Sequence, residues 1–347
     1  MLFFNKTIRI IKNEGLSGII KRITAVITSR SHKARRRLLS LLRANKKGFF
    51  NNYVNFKLDW KITRAAQEKI RSNNLRSLCE LDIKQIKKSD RIFILGSGAS
   101  VNDLTDQDWE YIKSCNSIGF NSWVAHPFVP DIYFIEPPIV SMKIWKDWTN
   151  LYELKKEPYA EVPIVVNYKE WQHHLAQFPF SDLPEEMQTN LYYYAPFDLR
   201  FNHPKWISMV LWYWRWFKIR KKSMDDLIHQ RATLATLIMF SLFAGFKEIV
   251  LVGVDLNNTA YFFEAEGKGY TNKPVNVQTG TIHRTADITL DINAVSVPID
   301  EYIYLMDSIL IKPKGVKLFI ASEKSRLFPK LEKFHFPGIN GTVNEKL

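Results

Sequence analysis

Cysteine is nearly absent: Cys79 and Cys115 are the only two in 347 residues. Two thiols cannot build a disulfide scaffold or a cysteine-rich zinc site, and they fit a reducing, cytoplasmic setting. No run of 18 or more apolar residues occurs, so no transmembrane helix is expected. The apolar start Met1–Phe4 is too short for the core of a cleavable signal peptide. His-Glu-x-x-His is missing, and the adjacent His173 and His174 diverge on either a helix or a strand. No metal site is therefore expected. Asp106-Gln107-Asp108 stands near a helix start, where acids serve as caps and dipole partners.

Acidic residues are almost missing from residues 1–47, which hold 13 Lys and Arg against the single acid Glu14. The other 300 residues hold 36 bases and 34 acids. The net charge of +14 thus belongs to an N-terminal arm rather than to the body. In that arm Ile8, Ile11, Ile19, Ile20, Ile23, Val26 and Ile27 recur at helical spacing, with Lys12, Lys21 and Arg22 between them. Arg35–Arg37 and then Leu38, Leu39, Leu41 and Leu42 follow. Basic amphipathic helices of this kind lie in a membrane interface and favour anionic lipid. The arm lacks the aromatic and base-reading pattern of an RNA module, so nucleic acid is not the expected partner. The arm reads either as a membrane contact or as a solvated basic face packed on its own domain.

What is plentiful is apolar sequence: 46% of residues are apolar and 24% charged, enough for a packed core. Residues 48–88 read as a helical linker, and the body starts near Ser89. Arg91–Leu95 is a short apolar strand leading into Gly96-Ser97-Gly98-Ala99-Ser100 and a polar helix from about Asn102 to Lys113. Ser117–Phe120, Asp131–Ile135, Val162–Val166 and Leu191–Ala195 read as strands. Leu227–Phe243 reads as a helix closed by Gly245, followed by the buried strand Ile249–Val252 and Gly253-Val254-Asp255. Pro298–Ile311 reads as a late helix, Val316–Ala321 as a strand and Arg326–Lys333 as a last short helix. Alternation of this kind predicts an α/β fold with a mostly parallel sheet. Residues 139–225 are expected to form a lid or acceptor region, 258–282 a mobile loop, and 336–347 a tail.

Strand, Gly-x-Gly and helix is the geometry that sets backbone N–H groups against a phosphate. Here Val101 stands where the third glycine of the dinucleotide fingerprint belongs, so a tight turn without a ligand fits equally. Asn121 and Asp255 each follow a strand, at the sheet end where ligands bind. Each can also be a turn or cap residue. His283 follows a Gly- and Thr-rich loop and precedes a polar segment. Trp206, Trp212, Tyr213, Trp214, Trp216 and Phe217 precede Lys218 and Arg220–Lys222. They suit either an interface or acceptor lid, or a core helix with a basic end.

The ordered set Gly96–Ser100, Asn121, His229-Gln230-Arg231-Ala232-Thr233, Gly245–Ile249, Gly253-Val254-Asp255, Tyr261, His283 and Ser322–Ser325 resembles the bacterial sialyltransferases of glycosyltransferase family 42, the Campylobacter lipooligosaccharide type. It also resembles the wider Maf-like (DUF115) group. The resemblance spans about residues 90–335. It implies a GT-A-like, Rossmann-type fold, a CMP-activated acidic sugar as donor substrate, no metal or other cofactor, and inversion at the anomeric carbon. It further implies a lipid-linked glycan acceptor on the cytoplasmic membrane face and allows a homo-oligomer.

On this resemblance, Gly96, Ser97, Gly98, Ser100 and Asn121 hold the CMP, and Thr233 lies near the nucleotide. Asp255, Asn257 and Ser322 complete the donor positions. Arg231 faces the sugar or acceptor, Tyr261 offers its hydroxyl to the departing phosphate, and His283 is the general base. Ala232-Thr233-Leu234-Ala235 replaces the family's usual Ile-Thr-Ser-Gly, and Asn257 stands where a second tyrosine is usual. These departures leave the donor open among CMP-sugars, including CMP-Kdo and other nonulosonates. A Maf-like or pterin-pyrophosphokinase-like enzyme, or a degenerate assembly protein on the membrane, are the competing expectations.

Overall fold

The computed structural model describes residues 49–136, 142–169, 182–199, 201, 203–219, 221–268, 270, 273–274, 276, 281–283, 285–287 and 297–337. The basic arm, most of the 258–282 loop beyond residue 268, and the tail from 338 lie outside the described residues. The chain divides into two compact units, Met1–Leu58 and Asp59–Leu347.

The larger unit is built on eight parallel strands: β1 (Arg91–Leu95), β2 (Asn116–Phe120), β3 (Ile132–Ile135), β4 (Ile164–Asn167), β5 (Leu191–Tyr194), β8 (Glu248–Val252), β9 (Lys317–Ile320) and β10 (Glu332–Lys333). Their order across the sheet is β10-β9-β8-β1-β2-β3-β4-β5, and every neighbouring pair is parallel. Two short strands, β6 (Phe197–Asp198) and β7 (Ile228–His229), form a separate parallel pair. The helices that carry the argument are α1 (Phe49–Ser72), α2 (Asp106–Ser114), α3 (Met142–Leu154), α4 (Pro204–Tyr213), α5 (Thr233–Phe243) and α6 (Ile299–Met306). The expected α/β class with a parallel sheet is what the chain adopts.

Central strands of a parallel sheet are covered on both faces, which requires continuous apolar runs rather than alternation. Ile92, Phe93, Ile94 and Leu95 of β1 accordingly have no exposed surface. All eleven residues of α5 are buried, as an almost unbroken apolar helix must be. Sequence order runs outward from β1 to β5 on one side and returns to β8 on the other side of β1. That reversal is a topological switch point, and in open α/β sheets ligands bind beside the carboxyl ends of the strands at such a point.

Four expectations about elements change. Within the segment 48–88, expected as a helical linker, Ala66 and Ile70 of α1 belong to the core, and the Gln67 amide donates to Ala195 O at 3.0 Å and Asp225 O at 2.7 Å. The polar helix after β1 is broken into a 3₁₀ turn, Ala99–Asp103, and α2, because Thr105 and Asp108 form a capping box that starts a new helix. The helix expected from Leu227 starts only at Thr233, because Ile228–His229 pairs with β6 and Arg231 turns the chain at φ 57°. Arg326–Lys333 is not a helix. Pro329 has no N–H to donate there, and the segment ends by adding β10 to the sheet edge.

Candidate active site

A cleft of about 930 Å³, counting the part open to solvent, lies at the switch point. Its wall comes from the segments leaving four parallel strands: Gly96–Gly98 after β1, Asn121 after β2, Glu136 after β3, and Gly253–Leu256 after β8. Arg231, Thr233 and Leu234 enter from the start of α5, and Tyr261, His283 and Thr285 from later loops.

The Gly-x-Gly turn serves first as a joint between two strand ends. Gly96 N–H donates to Val252 O and Gly98 N–H to Gly253 O, both at 2.8 Å. A Cβ on Gly96 would stand 2.7 Å from Gly253 O, and one on Gly98 2.7 Å from both Gly253 O and Asp255 Oδ2. Glycine is required because the turns leaving the parallel neighbours β1 and β8 meet at backbone contact. These two N–H groups, the expected phosphate cradle, are engaged inside the protein.

Ser100 and Asp255 are engaged as well. The Asp255 carboxylate accepts from the Ser100 N–H at 3.0 Å and from the Ser100 hydroxyl, and both residues are buried. Asp255 lines the cleft, while Ser100 is not among its lining residues. Asn257 and Ser322 also stand outside it. Asn257 donates to Lys324 O, and the Ser322 hydroxyl accepts from Lys324 N–H at 3.2 Å. The remaining candidates, Gly96, Ser97, Gly98, Asn121, Arg231, Thr233, Asp255, Tyr261 and His283, meet at one cleft from positions nearly 190 residues apart.

Three cleft residues hold backbone angles that L side chains rarely adopt: Asn121 at φ 51°, Arg231 at 57° and Leu256 at 62°. Such angles cost about 1–3 kcal/mol each and concentrate at functional sites. Here each aims a segment leaving or entering the sheet back across the crevice. Arg231 is further held through Nη2 to Asp287 O at 3.2 Å. His283 anchors the same stretch: its carbonyl accepts from Ala286 N–H at 2.8 Å and Asp287 N–H at 3.1 Å. His283 Nδ1 lies 2.8 Å from the Thr285 hydroxyl. The first turn of α5 opens on the cleft with Ala232 at its N-cap, which supplies no side-chain cap. Unsatisfied N–H groups and the helix dipole make such an end electropositive.

Glu136 is the residue the sequence argument missed. Its Oε2 accepts from the Thr233 hydroxyl at 2.5 Å and its Oε1 from Asn167 Nδ2 at 3.2 Å. His229 Nε2 is 3.4 Å from Oε1, and His229 Nδ1 is 2.9 Å from Asp198 Oδ1. Asp198 Oδ2 in turn lies 3.1 Å from Lys169 Nζ, which also pairs with Asp59. A largely buried row of alternating acidic and basic side chains thus runs from Asp59 of α1 to the cleft wall. Burial, and then the neighbouring Asp198 carboxylate, push Asp59 up to about 6. Among the described residues, no group of three or more His, Cys, Asp or Glu side chains is disposed to hold a metal ion.

Among solved structures the chain is similar to the monofunctional alpha-2,3-sialyltransferase Cst-I from Campylobacter jejuni. The identity is 14% over 78% of this chain and 92% of that one, with a TM-score of 0.39. No family model and no curated protein matches the chain. A likeness this distant assigns no activity.

Proposed function

We propose that the chain is a metal-independent, inverting glycosyltransferase. It moves a sialic acid or related acidic sugar from its CMP-activated form to a lipid-linked surface glycan at the anionic inner face of the cytoplasmic membrane. The observation that carries this reading is the convergence of Asn121, Arg231, Thr233, Tyr261 and His283 on one switch-point cleft. The choice of cytidine nucleotide rests on the sequence resemblance of the ordered motifs.

The chemistry needs two things. A CMP-sugar brings its own leaving group, so the departing phosphate must be stabilised. The acceptor hydroxyl, a weak nucleophile, must lose its proton. The Arg231 guanidinium, the open first turn of α5 and the Tyr261 hydroxyl supply positive potential and donors for the first task. Because the Gly96 and Gly98 N–H groups are used internally, the turn contributes Ser97 and a close backbone approach instead. His283 performs the second task. Its Nδ1 accepts from the Thr285 N–H at 3.4 Å and lies 2.8 Å from the Thr285 hydroxyl, contacts that fix the ring beside the cleft, and in this reading the imidazole takes the acceptor's proton. The acceptor oxygen then attacks the anomeric carbon while the C–O bond to phosphate breaks and the phosphate keeps the electron pair. Glu136 does not oppose an acidic donor outright, since the Thr233 hydroxyl and the Asn167 amide both donate to its carboxylate.

Release of CMP from a CMP-nonulosonate in the presence of an oligosaccharide acceptor tests this reading. Turnover should survive EDTA, and His283→Ala should lower kcat ~10²–10⁴-fold, the usual contribution of a general base. A loss of only a few-fold would remove His283 from that role. Turnover that needs Mg²⁺ and a purine nucleotide would instead favour a pyrophosphokinase-like enzyme.

A further inference from the structure

Helix α4 is apolar on two sides, and one of them faces outward. One side, Ile207 and Leu211, continues through Trp214 into the core and packs against α6. Trp214 is fixed there by its indole N–H, which donates to Asp226 O at 2.7 Å. The opposite side carries Met209, Trp212, Tyr213, Trp216 and Phe217, which are 51%, 44%, 42%, 52% and 62% exposed. Their spacing of three, four, seven and eight residues from Met209 is that of a single helical face. The face runs unbroken from α4 into the π-helical turn Trp214–Lys218. An exposed contiguous patch of this kind marks a contact surface rather than scattered surface apolarity.

The charge around the stripe selects its partner. From residue 199 to residue 224 the sequence contains no Asp or Glu and seven Lys or Arg. Lys205 precedes the stripe and Lys221 and Lys222 follow it, all exposed. The Arg215 guanidinium stands within it, 4.8 Å from the Trp212 ring centre and 5.8 Å from that of Trp216. A second copy docked on the same face would oppose one Lys- and Arg-rich rim with another. A stacked nucleic-acid base would need open ring faces, but Arg215 covers Trp212 and Trp216, and Tyr213 and Phe217 lie ring to ring at 5.1 Å. Trp and Tyr over an apolar stripe, rimmed by Lys and Arg, is the composition that settles at the headgroup level of a bilayer. Anionic lipid adds attraction for each basic side chain near the surface.

We infer that the face Met209–Trp212–Tyr213–Trp216–Phe217 is a membrane-docking surface that inserts at the interface of an anionic phospholipid bilayer. It lies more than 150 residues from the basic arm in the sequence and is independent of the donor proposed above, so failure of CMP binding would leave it standing.

The test uses the full chain with Cys79→Ser, which removes the exposed thiol and leaves only the buried Cys115. Phe217→Cys then carries an environment-sensitive NBD label, and Trp212→Cys is a second label site should the first variant unfold. With phosphatidylcholine–phosphatidylglycerol vesicles, the label should shift to the blue and brighten at least twofold. Doxyl-labelled lipid should quench it, and phosphatidylcholine alone should give little change. Sedimentation with the vesicles but an unchanged label at both sites would assign binding to another surface and overturn the inference, as would no sedimentation at all. A blue shift without vesicles, on adding unlabelled chain or poly(U), would overturn it in favour of a second copy or of RNA.

Discussion

The Thr233 hydroxyl donates to the Glu136 carboxylate at 2.5 Å, joining the carboxyl end of β3 to the first turn of α5 across the cleft wall. Glu136 is therefore a structural member of the site as well as a charge within it.

Replacing Glu136 by Ala removes the acceptor shared by Thr233 and Asn167 and takes a carboxylate away from His229. Partners stranded in a mostly buried site cost about 1–3 kcal/mol. Glu136→Ala should lower unfolding stability by that order in urea titration. Glu136→Gln, which keeps the shape and one acceptor, should lose less. Equal losses for both would show that the charge matters more than the bonds.

The Asp255 clamp on Ser100 and the glycine crossing should behave as one joint. Asp255→Ala abandons a buried N–H and hydroxyl, at about 1–3 kcal/mol per stranded group. Gly98→Ala drives a methyl onto Asp255 Oδ2 and Gly253 O, an overpacking cost of about 1–3 kcal/mol. Because both act on the same contact, the double variant should be less destabilised than the sum. Strict additivity in a double-mutant cycle would contradict the joint.

Two groups should give the stability curve opposing slopes with pH. Asp59 is raised from 3.8 to about 6 by burial and then by Asp198, so the fold favours its protonated form. Its contribution is full below pH 3.8 and is lost as pH rises through 6. His126 is lowered from 6.5 to about 3 by burial and then by Lys155, so the fold favours its neutral form. Its contribution is full above pH 6.5 and is lost as pH falls below that. Relative to Asp59→Asn, the natural chain should lose stability from pH 4 to 6.5. Relative to His126→Gln, it should gain over the same range. Each slope is bounded by about 1.4 kcal/mol per pH unit. A flat difference curve for either variant would reject its assignment.

Much of this architecture was legible in the sequence because strand ends announce themselves. Apolar runs that stop at Gly-x-Gly, at Asn121 and at Gly253-Val254-Asp255 located β1, β2 and β8, and with them the cleft. The same rule applied to β3 would have found Glu136, the residue following Ile135. Its neighbours His229, Asp198 and Lys169 were not legible, since β6 and β7 are two-residue strands whose pairing is set by tertiary contacts. Ser100, Asn257 and Ser322 show the limit of positional carry-over: each lies near the cleft in sequence pattern, but each is bonded elsewhere. For α4 the periodicity was visible, but which face the core would take was decided by α6.

The most direct measurement is a thermal-unfolding titration of the natural chain with CMP, UMP, ADP and GDP, each with and without EDTA. The account predicts a CMP-selective, EDTA-insensitive rise. At a hundredfold excess over Kd it corresponds to about 2.7 kcal/mol, or roughly 4 °C for a chain of this length. No shift with CMP, or a purine shift that requires Mg²⁺, would contradict a cytidine-nucleotide site at the β1–β8 switch point.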